Sequence, residues 1–289
     1  MKCHIIVLLV VSMAVSGSSS INKSSFNLVG STPGDSAIKK MLGIKADAVI
    51  DFIRWDLLIN KDETFRLSIQ YGENQPNTLG FKQGGTGQII EGKYRVSASE
   101  NWEQLYTLQR KDGKSMLNLV AITANIFHVL DDQSQLLVGN AGWSYTLNRE
   151  FVEAGEVATF KSSGAQLADT KLIFEGRTPC REIALLHPEM KASSDCFKIK
   201  WRLILNRDAQ SGLPTTCTTR NIVDNQPRDV VGTWQLLKSP RAVIYQLKLP
   251  GLKDPILLMQ ADNNILYFLD EKQHLLIGNK DFSFTLNRK

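Results

Sequence analysis

One stretch of this chain occurs twice. Asn125 to Arg149 (NIFHVLDDQSQLLVGNAGWSYTLNR) aligns without a gap on Asn264 to Arg288 (NILYFLDEKQHLLIGNKDFSFTLNR), and thirteen of the twenty-five positions are identical. Unrelated stretches of ordinary composition would share about one or two. The copies also match at their starts, where Gly30-Ser-Thr-Pro-Gly34 answers Gly176-Arg-Thr-Pro-Cys180 and Trp55-Asp-Leu-Leu-Ile-Asn60 answers Trp201-Arg-Leu-Ile-Leu-Asn206. A solenoid repeat runs to about 20–50 residues, so a copy this long is a whole domain. The reading is two homologous domains at 24–150 and 171–289, with a junction at 151–170.

Both copies carry the period of a sheet. Phe65, Leu67, Ile69 and Tyr71 alternate with Arg66, Ser68 and Gln70, which sets one face on a core and the other on water. Trp143, Tyr145 and Leu147 alternate with Ser144, Thr146 and Asn148, and Phe282, Phe284 and Leu286 repeat the pattern. Further short runs near Ile89–Val96, Leu105–Gln109, Met116–Ile122, Ile126–Leu130 and Leu136–Gly139 are separated by turn residues such as Asp112-Gly113. About eight short antiparallel strands per copy point to a small closed barrel, which leaves no open sheet edge, with a β-sandwich as the alternative. The expected fold class is all-β, two tandem lipocalin-like β-barrels, each preceded by a short helical segment. In the second copy Thr178 is placed to cap that helix and Pro179 to occupy its first turn, with Ile183, Ala184 and Leu186 as its apolar side. In the first, Thr32-Pro33 opens the equivalent piece, with Ile38, Met41 and Leu42 as the apolar side, and Val157–Phe160 offers an extra strand to the second domain.

Residues 1–17 place Lys2 before an apolar run from Ile5 to Val15 that ends in Ser16, Gly17, Ser18 and Ser19. That is the pattern of a secretory signal peptide, shorter than the about 20 apolar residues of a membrane span. No cysteine follows the small residues, so the expectation is an exported periplasmic or secreted protein that is not a lipoprotein and has no integral membrane segment after processing. Lys and Arg are scattered and the net charge is only +5, which gives no basic stripe for nucleic acid.

Cys3 lies before the apolar run, which leaves Cys180, Cys196 and Cys217 in the exported chain. In an oxidising compartment the readings are a Cys180–Cys196 disulfide, a Cys196–Cys217 disulfide or no fixed disulfide, and an odd thiol is left over in any case. The first copy has Gly34 and Ile50 in place of Cys180 and Cys196, so the two cysteines are absent together, as a pair would be. Cys180, His187, Met190 and Cys196 also make a soft-metal set suited to Cu(I), set against a core Met190 and a His187 that merely ends the helix. Cys180 near a helix start is a second, redox-active reading.

Gly87-Gln-Ile-Ile-Glu-Gly92-Lys93-Tyr94 has phosphate-loop spacing but offers Tyr94 where a Ser or Thr is needed, and reads as a turn and strand. His128 aligns with Tyr267 as a packed ring and His274 falls in a turn, so no catalytic set assembles and the chain is expected not to be an enzyme. Trp143, Tyr145, Tyr267, Phe282 and Phe284 are candidates to line a small-ligand cavity, the alternative being a barrel filled by its own side chains.

The second copy carries Phe174-Glu-Gly-Arg-Thr-Pro-Cys180, then Cys196-Phe-Lys-Ile-Lys-Trp-Arg-Leu-Ile-Leu-Asn206, Gly232-Thr-Trp234 and Leu269-Asp270. In these it resembles the N-terminal domain of NlpE-type copper-homeostasis and envelope-stress lipoproteins, over about 115 residues. The resemblance implies a lipocalin-like barrel, an envelope role, and Cys180 and Cys196 as the cysteine site. It departs from that pattern in the fifteen residues between the two cysteines, in the missing lipoprotein cysteine, and in a first copy with neither. The function expected is an exported, non-enzymatic envelope protein that binds a small apolar ligand or a protein partner. Copper or redox sensing through Cys180 and Cys196 is the alternative, and no other cofactor is expected.

Overall fold

In the computed structural model, which describes residues 24–152, 169–238 and 242–289, the chain forms two closed eight-stranded antiparallel barrels. The first runs through β1 (Phe26–Pro33), α1 (Ser36–Leu42), β2 (Phe52–Ile59), β3 (Thr64–Gly72), β4 (Thr86–Ser97), β5 (Leu105–Arg110), β6 (Ser115–Ala121), β7 (Ile126–Leu130) and β8 (Thr146–Arg149). The second runs through β9 (Lys171–Thr178), α2 (Cys180–Leu186), β10 (Ile199–Arg207), β11 (Pro214–Val223), β12 (Gln226–Lys238), β13 (Val243–Lys248), β14 (Ile256–Gln260), β15 (Ile265–Leu269) and β16 (Thr285–Arg288). Each is a meander closed by its first and last strands. Leu28 pairs with Arg149 in one and Asn287 with Glu175 in the other. Closure leaves no edge, and this excludes the sandwich.

The alternation does what its period requires along most strands. In β3, Phe65, Leu67 and Ile69 are buried while Arg66, Ser68 and Gln70 face water. In β10, Ile199, Trp201, Leu203 and Leu205 point inward. The inward rows of each barrel merge into one apolar cluster, one of them around Trp55, Leu67, Leu108 and Leu147, the other around Phe174, Trp201, Phe268 and Leu286. Both interiors are packed with side chains, one of the two arrangements open to a barrel of eight strands.

The last strands differ from their expected form. Leu136 makes only an isolated bridge to Leu130, and regular pairing begins at Thr146 rather than Trp143. All four residues of β8 are buried, and all five of β7 and of β15. Their outward faces meet the other barrel instead of water.

The helical pieces start slightly later than the sequence pattern suggests. Pro33 ends β1, and α1 is capped by Asp35, whose carboxylate accepts from the amides of Ala37 (3.1 Å) and Ile38 (3.2 Å). Thr178 does not cap α2. Its hydroxyl accepts from the Trp201 indole at 2.9 Å, as Thr32 accepts from Trp55 at 2.8 Å, so in both copies this threonine ties the first strand to an interior tryptophan. The segment 1–17 expected to be a signal peptide, most of the expected junction 151–170, and the expected strand Val157–Phe160 lie outside the described residues.

Candidate functional site

Cys180 and Cys196 form a disulfide, with Cα atoms 5.8 Å apart. The bond pins the start of α2 to the chain entering β10, and by the chain-entropy estimate a loop of this length contributes about 3 kcal/mol. Cys217 is the leftover thiol. It lies in the core of the second barrel, and burial raises its pKa to about 11, which keeps it protonated and unreactive.

The other two members of the soft-metal set lie on the same segment between β9 and β10, which covers the barrel as a lid and sends Ile183 and Met190 into its core, as the α1 segment sends Ile38 and Leu42 into the first. His187 ends α2, its amide donating to the Ile183 carbonyl at 2.8 Å. It is only 7% exposed, its Nδ1 has no hydrogen-bond partner, and burial lowers its pKa. Met190 is part of the barrel core. Both cysteine sulfurs are committed to each other in this state, and among the described residues no group of three or more His, Cys, Asp or Glu is arranged to hold a metal ion.

The five aromatic candidates do not line one cavity. Tyr145 is buried in the first barrel, where its hydroxyl donates to Asp35, and Phe284 is buried in the second against Phe268. Tyr267 points out of its barrel into the seam between the two. Trp143 and Phe282 border a cleft at one end of that seam. Period two alone places residues on a face. It does not say whether that face turns to its own interior or to a neighbour.

The seam is the main feature that sequence reasoning missed. His128 meets Tyr267 at 2.7 Å, Thr146 meets Thr285 at 3.0 Å, and Ser144 meets Ser283 at 2.7 Å, and each pair is separated by 139 residues in sequence. These are the aligned positions of the two copies, so each residue touches its own counterpart. Around this axis the contacts are reciprocal. The Gly139 amide donates to Asn287 at 2.9 Å and the Gly278 amide to Asn148 at 2.8 Å. A Cβ on Gly139 would sit 2.3 Å from the Trp143 carbonyl oxygen, and one on Gly278 2.4 Å from that of Phe282, so both turns require glycine. Val120, Ile122, Ile126 and Leu130 pack with Met259, Ala261, Ile265 and Leu269 in one apolar cluster across the seam. This is the geometry of a two-fold dimer interface held inside one chain.

His128 is fully buried on that axis. Its Nε2 is 2.8 Å from the Leu137 carbonyl, which can only accept, so Nε2 carries the proton and Nδ1 accepts from the Tyr267 hydroxyl. Burial lowers its pKa to about 4. The identical Ser, Thr and Asn at outward positions of both copies are the sequence signal that marks this surface.

No family model matches the chain, and no curated protein does. Among solved structures the chain is similar to the crystal structure of the Cpx pathway activator NlpE from Escherichia coli. The two are 13% identical with a TM-score of 0.26, over 79% of this chain and 94% of that one. The barrel architecture here rests on this chain's own strand ladders. Among the described residues no helix is long and apolar enough to cross a membrane.

Proposed function

We propose that this chain is an exported, non-enzymatic protein of the cell envelope that works by binding a protein partner on the outside of its paired barrels. The filling of both interiors is the observation that carries this reading. Barrels of this size that carry an apolar ligand keep room for it, whereas here Trp55, Tyr145, Phe174 and Phe268 are among the side chains that occupy the space. Recognition then falls to the outer surface, where Leu185 (72% exposed) and Val231 (61%) present apolar side chains to solvent. The Cys180–Cys196 disulfide supports an oxidising compartment, and the resemblance of the second copy to NlpE-type domains supports the envelope.

Photo-crosslinkers placed at Leu185 and Val231 in cells test the reading, alongside fractionation and non-reducing peptide mapping of the full chain. A discrete adduct with an envelope protein, on a chain recovered outside the cytosol with Cys180–Cys196 oxidised, is the expected result. Saturable one-to-one uptake of a fluorescent fatty acid, with no adduct, would replace the partner with an apolar ligand.

A second reading is copper or redox sensing through Cys180, Cys196, His187 and Met190. It is favoured by two cysteines held within bonding distance at the start of α2 and by a buried His187 at its end whose Nδ1 has no partner. Cu(I) competition titration of the reduced chain decides it, since equal affinity in a Cys180→Ala, Cys196→Ala variant removes the site.

A further inference from the structure

At one end of the seam the barrels leave a narrow cleft bordered by Phe52, Arg54 and Trp143 of the first and by Arg177, Lys198 and Asp281 of the second. Its charges do not cancel. Arg54 is paired with Asp281 at 2.6 Å, an ion pair whose side chains are only 21% and 11% exposed. Asp281 is thereby used, and Arg177 and Lys198 remain.

Neither of these two cations has a carboxylate within ion-pair distance among the described residues. The Arg177 guanidinium lies over the Trp143 ring, 5.0 Å from its centre, and its Nε is buried without a hydrogen-bond partner. The Lys198 ammonium sits 4.7 Å from the Phe197 ring centre and 6.0 Å from that of Phe282. Burial lowers the pKa of both. Lys198 falls to about 8, first through burial and then through repulsion by Arg177. Two adjacent, partly buried cations without a partner carboxylate are costly to hold, and an anion between them would offset both the burial and the mutual repulsion.

The space selects the anion. The cleft has a volume of about 10 Å³, room for roughly one water-sized sphere, so a ligand seats one atom inside it and keeps the rest outside. A flat carboxylate meets this with one oxygen inside and the other at the mouth facing the cations, whereas a tetrahedral group would press its further oxygens against the walls. The ring under Arg177 holds the guanidinium plane, and a guanidinium edge presents the paired N–H donors that match two carboxylate oxygens.

We infer that this cleft binds a single carboxylate group, gripped by Arg177 and Lys198 at a site to which both barrels contribute. This goes beyond the proposed function and stands or falls separately from it.

The oxidised exported chain, ¹⁵N-labelled, is titrated at constant ionic strength with sodium acetate and, separately, with N-acetyl-aspartic acid α-amide. Saturable shifts of the backbone amides of Trp143 and Phe282 are expected. Arg177→Gln and Lys198→Gln should each weaken binding about tenfold or more, with the other barrel resonances unmoved, and exposed Lys171→Gln should leave it unchanged. Equal affinity for the two probes would assign a free small acid as the natural source. Preference for the capped aspartate would assign a polypeptide acid. The inference is overturned if no saturable shift occurs, if acetamide or sodium chloride gives the same shift, or if Lys198→Gln binds as tightly as the parent.

Discussion

In the first barrel the chain leaving β1 passes Gly34 directly against Ile50, so closely that a Cβ on Gly34 would lie 2.3 Å from an Ile50 methyl carbon. In the second barrel the aligned positions are Cys180 and Cys196, and a covalent bond stands where the first has an apolar contact. The exchange extends to the polar groups around it. Asp35 caps α1 and accepts from the Tyr145 hydroxyl, whereas its counterparts are Arg181 and Phe284, and α2 has no side-chain cap. The same lid is therefore fastened by packing and hydrogen bonds in one copy and by a disulfide in the other. A fold sets the position of a constraint, and the residues available there decide its chemistry.

The largest expected effect breaks the second fastening. Cys180→Ala with Cys196→Ala removes the loop constraint and should cost the second barrel about 3 kcal/mol. Hydrogen exchange followed barrel by barrel should show faster opening of β9 and β10, with β1 and β2 unaffected. Equal loss in both barrels would mean that the bond stabilises the whole seam rather than its own lid.

Next comes the contact that replaces the bond. Gly34→Ala forces a methyl into the Ile50 side chain and should destabilise the first barrel by about 2 kcal/mol, read as a lower urea midpoint. The double variant Gly34→Cys, Ile50→Cys should relieve that clash and close a bridge, detected as the loss of two free thiols under oxidising conditions. Two thiols that stay free would show that the backbones of the two lids differ more than the alignment implies.

The seam supplies a test in pH. His128 binds its proton with a pKa of about 4 when folded against 6.5 for the free side chain, so between these values the unfolded chain takes up a proton that the folded chain refuses. Its contribution is complete above pH 6.5 and is lost as pH falls, amounting to about 2 kcal/mol at pH 5. Tyr267, its counterpart, stays uncharged over this range because burial raises its pKa. The urea midpoint should therefore fall less between pH 7.5 and pH 5 in His128→Gln than in the parent. Identical pH profiles would remove His128 from the axis.

The smallest effect makes the first lid resemble the second. Tyr145→Phe deletes the hydroxyl donated to Asp35 and should cost about 1 kcal/mol, measured as a shift of the urea midpoint. Combined with the Gly34→Cys, Ile50→Cys bridge, the loss should shrink, because the bridge already holds α1 in place.

Much of this could be read from residues alone. Phe65, Leu67 and Ile69 gave the inward row of β3, and the joint absence of Cys180 and Cys196 from the first copy pointed to their pairing. The seam could not be read in the same way. Ser144, Thr146 and Asn148 are polar and alternate with apolar neighbours, which is also how a water-facing row looks. Polarity records that a group needs a hydrogen bond and leaves open whether water or Ser283, Thr285 and the Gly278 amide supplies it. For the same reason the sequence pattern does not separate Tyr145, Tyr267 and Phe284, which belong to three separate packing regions.

The sequence by itself determined the duplication, the period that curls each copy into a sheet with one apolar face, and the two positions where each lid is anchored, because these depend on neighbours a few residues apart or on direct alignment. Only the tertiary structure decided that the copies meet face to face about a two-fold axis, that both interiors are full, and that Arg177 and Lys198 share a cleft with Arg54 and Asp281. Those outcomes depend on side chains more than a hundred residues apart competing to bury the same surface, and no local pattern records which of them wins.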